Sequence, residues 1–144
     1  MNTAPQPSQP RVTDLMSRHP VCVRDDAPIV EAVQLLDQRS LHGLPVVDVD
    51  GELVGVVSQT DMVRARTVQH LWTAWHGLKV RHLMSAPALT IEADATLEEA
   101  AARMEANQVH RLVVLAADEA TPIGIISTSD IVRSLLEERG HGDE

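Results

Sequence analysis

Apolar residues along the chain switch between a period of two and a period near 3.6, and the switches mark the elements. Short apolar runs at Pro20-Val21-Cys22-Val23 and Leu89-Thr90-Ile91 end at acidic turns, which predicts a short strand at each. A helix is predicted after each strand. Thr96-Leu97-Glu98-Glu99 has the spacing of a capping box, with Leu97, Ala100, Ala101 and Met104 on one face; earlier, Pro28 stands at a helix start ahead of Ile29, Ala32, Val33 and Leu36. Leu44 to Val49, a turn at Asp50-Gly51 and Leu53 to Val57 form the strongest hairpin signal. It is repeated as Leu112 to Ala116 and Ile123 to Ile126, with a longer loop through Asp118 to Pro122. Helices over Thr60 to Arg66 and Ser129 to Arg139 close the pattern, giving strand, helix, strand, strand, helix twice.

The two halves also agree residue by residue. Val12, Leu15, Met16 and Ser17 recur 68 positions later as Val80, Leu83, Met84 and Ser85, and Asp26, Ala27, Glu31 and Ala32 recur as Asp94, Ala95, Glu99 and Ala100. After one insertion the shift becomes 69, and Gly55, Ser58, Asp61, Val63 and Arg64 fall on Gly124, Ser127, Asp130, Val132 and Arg133. Fixed-period similarity makes each copy a folding unit whose apolar face is buried by its twin, so two copies predict a closed pair with approximate twofold symmetry and two clefts. The expected boundaries are a disordered leader at 1–10, copies at 11–67 and 80–139, a connector at 68–79 and a tail at 140–144.

With 144 residues the chain is long enough for one shared core but not for two independent ones. That core lacks Phe and Tyr and holds at most two Trp, so it is built of aliphatic residues and Met and offers no aromatic platform for single-stranded nucleic acid. A net charge of −9, with the 12 Lys and Arg residues scattered, also argues against a nucleic-acid partner. A single cysteine, Cys22, excludes an internal disulfide and a thiolate zinc cage. The first ten residues have no basic segment followed by an apolar one, and no long apolar stretch follows, which predicts a cytoplasmic protein without a membrane partner.

Candidate chemistry concentrates where the third strand of each copy meets the last helix, at Gly55-Val56-Val57-Ser58-Gln59-Thr60-Asp61 and Gly124-Ile125-Ile126-Ser127-Thr128-Ser129-Asp130. Glycine on a strand lets something approach the backbone closely, helix amides hold anions, and an Asp accepts two hydrogen bonds from a diol such as a ribose. Ser, Thr and Asp are also ordinary helix-starting residues, so capping is the competing reading.

These segments are where the chain resembles a tandem pair of CBS domains, the Bateman module, over residues 11 to 139. The resemblance rests on Val12 to Ser17 and Val80 to Ser85, on Leu41-His42-Gly43-Leu44-Pro45-Val46-Val47 and Val109-His110-Arg111-Leu112-Val113-Val114, and on the two Gly-to-Asp segments. It implies an α/β fold of the α+β type, two βαββα repeats packed sheet to sheet about a pseudo-twofold axis, with clefts for adenosine-containing ligands such as AMP, ADP or ATP and no required cofactor. It also implies that Asp61 and Asp130 grip riboses, that Ser58, Thr60, Ser127 and Ser129 hold ribose or phosphate oxygens, and that the backbone near Cys22-Val23 and Thr90-Ile91 receives adenine. His42, His110 and Arg111 would face phosphates. Gly43 stands where the second copy has Arg111, which predicts unequal sites, and Val113 stands where the first has Pro45.

Other constellations carry less. His70, His76 and His82 lie six apart, which does not place them on one helical face, and no metal is expected. Trp72 and Trp75 with Leu71 form either a core stripe or a lid or dimer seal. Cys22 reads as a small buried hydrophobe against a reactive thiol, and His42 and His110 as structural histidines against phosphate contacts. No nucleophile with base and orienter is apparent, so the chain is read as a non-enzyme: a ligand-responsive regulatory or sensor module, homodimeric through its helical faces, acting on an unidentified regulated protein. A constitutive dimerisation module with vestigial clefts is the alternative.

Overall fold

The computed structural model describes residues 9–117 and 119–142. Most of the predicted leader (1–8), Asp118 of the second hairpin loop and the last two residues of the tail lie outside them. The chain forms two compact units, and neither is a contiguous copy: one contains Pro20–Ala88 with Ala120–Pro122, the other Leu89–Glu119 and Ile123 onward together with the chain's beginning up to His19. We call these the first-copy and second-copy units.

In the first-copy unit β2 (Val23–Arg24), β3 (Gly43–Val47) and β4 (Leu53–Ser58) form a three-stranded sheet in that order, and α2 (Ile29–Gln38) and α3 (Gln59–Thr67) accompany it. β3 and β4 run antiparallel from Gly43 opposite Ser58 to Val47 opposite Leu53, joined through Gly51 at φ 82° as the Asp-Gly signal predicts. α2 buries Ile29, Ala32 and Leu36, one face at helical spacing. They join Leu44, Val46, Val57 and Ala65 in an aliphatic cluster, where each large buried side chain contributes about 1.5 to 3 kcal/mol.

The second-copy unit places β1 (Ser17–Arg18), β7 (Pro122–Ser127), β6 (Arg111–Leu115) and β5 (Thr90–Glu92) in that order, with α6 (Leu97–Asn107) and α7 (Thr128–Gly142). α6 starts with the predicted capping box: the Glu99 amide donates to Thr96 Oγ1 and the Thr96 amide to Glu99 Oε1, at 3.1 and 3.2 Å. Leu97, Ala100 and Met104 are its buried face. α7 runs three residues past the predicted end at Arg139.

Parallel pairing of the first strands differs between copies for one reason. In the second, Thr90, Ile91 and Glu92 pair with Val113, Val114 and Leu115, and the Val113 amide donates to Leu89 O at 3.1 Å. In the first, Pro45 stands at the matching place and has no amide to donate. Pairing therefore begins one residue later, at Val23 with Val46, and Cys22 falls outside the strand predicted for it.

The two opening segments, α1 (Val12–Leu15) and α5 (Val80–Leu83), are exchanged. Leu97, Val12 and Thr13 amides pair with the carbonyls of Pro10, Ala95 and Ala93, and Ile29, Val80 and Arg81 amides pair in the same way with Leu78, Ala27 and Asp25. Val12 and Met16 are core of the second-copy unit, and Leu78, Val80 and Leu83 core of the first. Each segment then adds an edge to a sheet, with Ser17 opposite Ile125 and Ser85 opposite Val56. The close approach that the strand glycines permit is made here: a Cβ on Gly55 would lie 2.6 Å from Ser85 O and 2.9 Å from Met84 Sδ, and one on Gly124 would lie 2.8 Å from Ser17 O. The close approach expected at these glycines is therefore made by the chain's own backbone and Met side chains.

The connector carries α4 (Gln69–Thr73) and a 3-10 turn, Trp75–Gly77. Leu71 and Trp75 pack on the first-copy core, whereas Trp72 is exposed, 5.5 Å from Trp75 with the Arg66 guanidinium 4.5 Å above it. No helix among the described residues is long and apolar enough to cross a membrane.

Gly55→Ala should therefore lower stability by about 1 to 3 kcal/mol, because overpacking must push Ser85 and Met84 away. Gly77→Ala, where a Cβ meets nothing within 4 Å, should be close to neutral. Urea denaturation followed by the fluorescence of Trp72 and Trp75 measures both.

Candidate functional site

Each unit builds the same helix start from the sequence Ser-x-x-Asp. In the first-copy unit the Ser58 amide donates to Asp61 Oδ2 at 2.7 Å, the Ser58 hydroxyl to the same oxygen at 3.0 Å, and the Asp61 amide to Ser58 Oγ at 3.4 Å. Ser127 and Asp130 repeat this at 2.8, 3.1 and 3.4 Å. The capping role is thus made in both copies, and it buries the two carboxylates, leaving Asp61 7% and Asp130 6% exposed. Asp61 Oδ2 carries all the cap contacts, and no donor among the described residues reaches Oδ1. Since no buried side-chain oxygen lacks a partner among those residues, that atom is open to solvent. Asp130 differs, because Arg133 donates to its Oδ1.

The sheet ties the other candidates to these helix starts. Gln59 and Thr128, the first helical residues, donate their amides to His42 O at 3.0 Å and His110 O at 2.9 Å. His42 and His110 thereby sit one hydrogen bond from the positive ends of α3 and α7, both exposed, with Thr60 and Ser129 exposed on the first turns. Arg111 follows His110 on β6 and is half-buried; burial lowers its pKa from the ordinary arginine value. No carboxylate among the described residues lies within salt-bridge distance of it, so its charge is left for an anion.

The first-strand candidates divide. Val23 and Ile91 bury their side chains in the cores, leaving only backbone for a ligand. The Thr90 carbonyl accepts from Arg103 Nη1 at 2.6 Å. At the position matching Arg103 the first copy has Leu35, whose side chain has no donor to offer the Cys22 carbonyl. The half-buried Cys22 thiol donates to Pro20 O at 3.5 Å, and burial raises its pKa. The protonated form is favoured, which opposes a reactive thiol. The connector histidines are not brought together as a cluster: His70 lies on α4 and His76 in the turn, while His82 Nδ1 accepts the Lys79 amide at 2.8 Å.

Sequence reasoning missed Arg103 and Arg133. Only Arg133 left a signal, three residues after Asp130, the spacing at which helix side chains meet.

Comparison with known proteins gives a consistent answer. The family model described as the CBS domain matches residues 12–67 and 80–137. The protein MJ1426 of Methanocaldococcus jannaschii is 25% identical over 154 residues, spanning 87% of this chain and 90% of that protein. The 5'-AMP-activated protein kinase subunit gamma-3 of Sus scrofa is 34% identical over 119 residues, 79% of this chain but 23% of the subunit. Among solved structures, CBSX2 of Arabidopsis thaliana in complex with AMP is 31% identical with a TM-score of 0.79, covering 90% of this chain and 98% of that one.

Thiol chemistry gives a direct check on this description. Iodoacetamide at pH 8 should alkylate Cys22 in the native protein more slowly than in urea, because the raised pKa reduces the thiolate. By linkage, the stability this thiol contributes is present below its ordinary pKa of about 8.5 and is lost as pH rises through the raised value. Equal alkylation rates would contradict the burial.

Proposed function

The chain belongs to the CBS-domain family, carrying two copies of the module in tandem, and from that premise we propose that it is a regulatory or sensor module that binds adenosine-containing nucleotides. The observation that carries this reading is Asp61, a buried residue whose carboxylate is fixed by its own cap at Oδ2, with the solvent-facing Oδ1 left for a ribose hydroxyl. Arg111, half-buried without a carboxylate, supplies charge for a phosphate, and His42 and His110 flank the two helix starts. The CBSX2 relative, bound to AMP, makes AMP the first ligand to test.

In this reading the nucleotide base meets the backbone near Cys22-Val23 or Thr90-Ile91, the ribose diol meets an Asp with Ser58, Thr60, Ser127 and Ser129 around it, and phosphates meet the histidines and Arg111. Binding acts on a partner by favouring one of two arrangements of the module, to the extent that the ligand binds them with different affinity. The partner is a second copy of the chain and, through it, a regulated protein.

A second reading, a constitutive dimerisation module, draws support from the Asp130 carboxylate, both oxygens of which are already engaged, by Ser127 and Arg133. It draws more from α7, where Val132, Leu135 and Leu136 are 60, 57 and 72% exposed. Val132 also lines a groove of about 510 Å³ with Ala101, Met104, Val109 and Ile131, a face that a second copy would cover.

Two measurements separate the readings. A thermal-shift panel of AMP, ADP, ATP, S-adenosylmethionine and NAD should raise the melting temperature with at least one adenine nucleotide. Asp61→Asn, which keeps an oxygen for the cap, should weaken that binding about tenfold or more at little cost to the fold, since hydrogen bonds to charged groups contribute about 1.5 to 3 kcal/mol. No shift with any ligand would leave only the dimerisation reading. Light scattering at tens of micromolar should report a dimer, and Leu136→Glu should give a monomer. A monomeric wild type would remove the dimer from both.

A further inference from the structure

We propose that Arg133 is a gate on the second of the two ribose-binding carboxylates, so that the Asp61 half-site fills before the Asp130 half-site. The proposal rests on the adenosine-binding reading above and concerns how that reading divides between two nearly identical helix starts.

Both copies carry an Arg three residues after the Asp, the pairs Asp61 and Arg64 and Asp130 and Arg133. Helical spacing lets either Arg reach its Asp. Only one does. Arg64 points its Nη2 at the Leu83 carbonyl, 3.4 Å away on the exchanged segment α5, and leaves Asp61 Oδ1 without a donor among the described residues. Arg133 donates instead to Asp130 Oδ1, while Ser127 holds Oδ2 with its amide and hydroxyl. The oxygen that stays without a donor at Asp61 thus already carries one at Asp130, and a diol hydroxyl must share it or displace Arg133.

The pair is built to open. The Arg133 side chain is 57% exposed and that of Asp130 8%, so the acid is fixed by its cap while the guanidinium lies in solvent and swings at small cost. Exposed ion pairs contribute roughly 0.2 to 1 kcal/mol, and a ligand hydroxyl that displaces Arg133 loses that much affinity, a factor of about 1.4 to 5. The same Arg is long enough to remain beside the site once displaced, so its role is competition for one oxygen and not permanent closure. A second arginine works in the same direction: Arg103 holds the Thr90 carbonyl, and the first copy has Leu35 in its place.

Calorimetric titration of AMP into the full chain tests this, with wild type, Arg133→Gln and Arg64→Gln each at about 50 mM and about 500 mM salt. Gln keeps the length of most of the side chain and removes the charge. Arg133→Gln should tighten the weaker binding step about threefold at low salt, and the gain should shrink at high salt, because screening already weakens the pair in the wild type. Salt effects on the AMP phosphate are common to all three proteins and cancel in the ratio. Arg64→Gln should show no such gain, and adding Asp130→Asn to Arg133→Gln should abolish it. Unchanged or weaker binding in Arg133→Gln, or a gain that survives Asp130→Asn, overturns the gate while leaving nucleotide binding intact. Absence of AMP binding in wild type and variants alike overturns the binding reading and the gate with it.

Discussion

The fold depends on the contact between a bare strand and the opening segment that lies on it. Gly55 and Gly124 have no side chain, and the backbone of Ser85 and Ser17 with the sulfur of Met84 and Met16 occupies the space a Cβ would need. Each contact is anchored by three backbone hydrogen bonds upstream and by buried Val12 and Met16 or Leu78, Val80 and Leu83. Because the segments are exchanged, the first copy lacks part of its own core until the connector has come back to it, and the second lacks part of its core without residues near the start of the chain. A duplication that folded as two independent beads would need neither exchange.

The same contact positions the chemistry. β4 and β7 end in Ser58 and Ser127, the residues that begin the capping boxes, so the strand held by the exchanged segment sets where Asp61 and Asp130 stand. At the two sites the arginines then part: Arg64 reaches the Leu83 carbonyl of the segment on β4, whereas Arg133 reaches Asp130. Two copies of one sequence pattern thus acquire different electrostatics without any change in the Ser-x-x-Asp motif itself. Gly43 and Arg111, Pro45 and Val113, and Leu35 and Arg103 add to the asymmetry.

Most of the regular structure was legible in the sequence because its signals are local. The Thr96 capping box, the Asp50-Gly51 hairpin and the apolar faces of α2 and α6 each lie within a dozen residues; all formed, although β3 stops at Val47, two residues short of the predicted Val49, which lies exposed in the turn. The duplication, too, was visible by alignment of the chain with itself. The exchange was not, since pairing Met16 with Gly124 spans more than a hundred residues and periodicity carries no information about partners at that distance. The strand glycines did signal a close approach, but their type cannot say whether the visitor is a ligand or the chain's own backbone. Pro45 was noticed as a difference from Val113; that it removes Cys22 from β2 follows only once the parallel register is known. At the site, the identities of Asp61, Asp130, His42, His110 and Arg111 were readable, while the orientation of Arg133 was not, because Arg64 at the same spacing points elsewhere.

Amide hydrogen exchange at Ser85 tests the exchange of opening segments most directly. The Ser85 amide donates to Val56 O at 2.8 Å, and Val56 donates back to Ser85 O at 3.0 Å, so the pair exists only while the segment lies on β4. The account predicts that Ser85, though its side chain is exposed, exchanges as slowly as the core amides of β4 and loses protection together with them as urea is added, since opening the segment opens the unit. Exchange at the rate of an unstructured peptide, with β4 still protected, would contradict it.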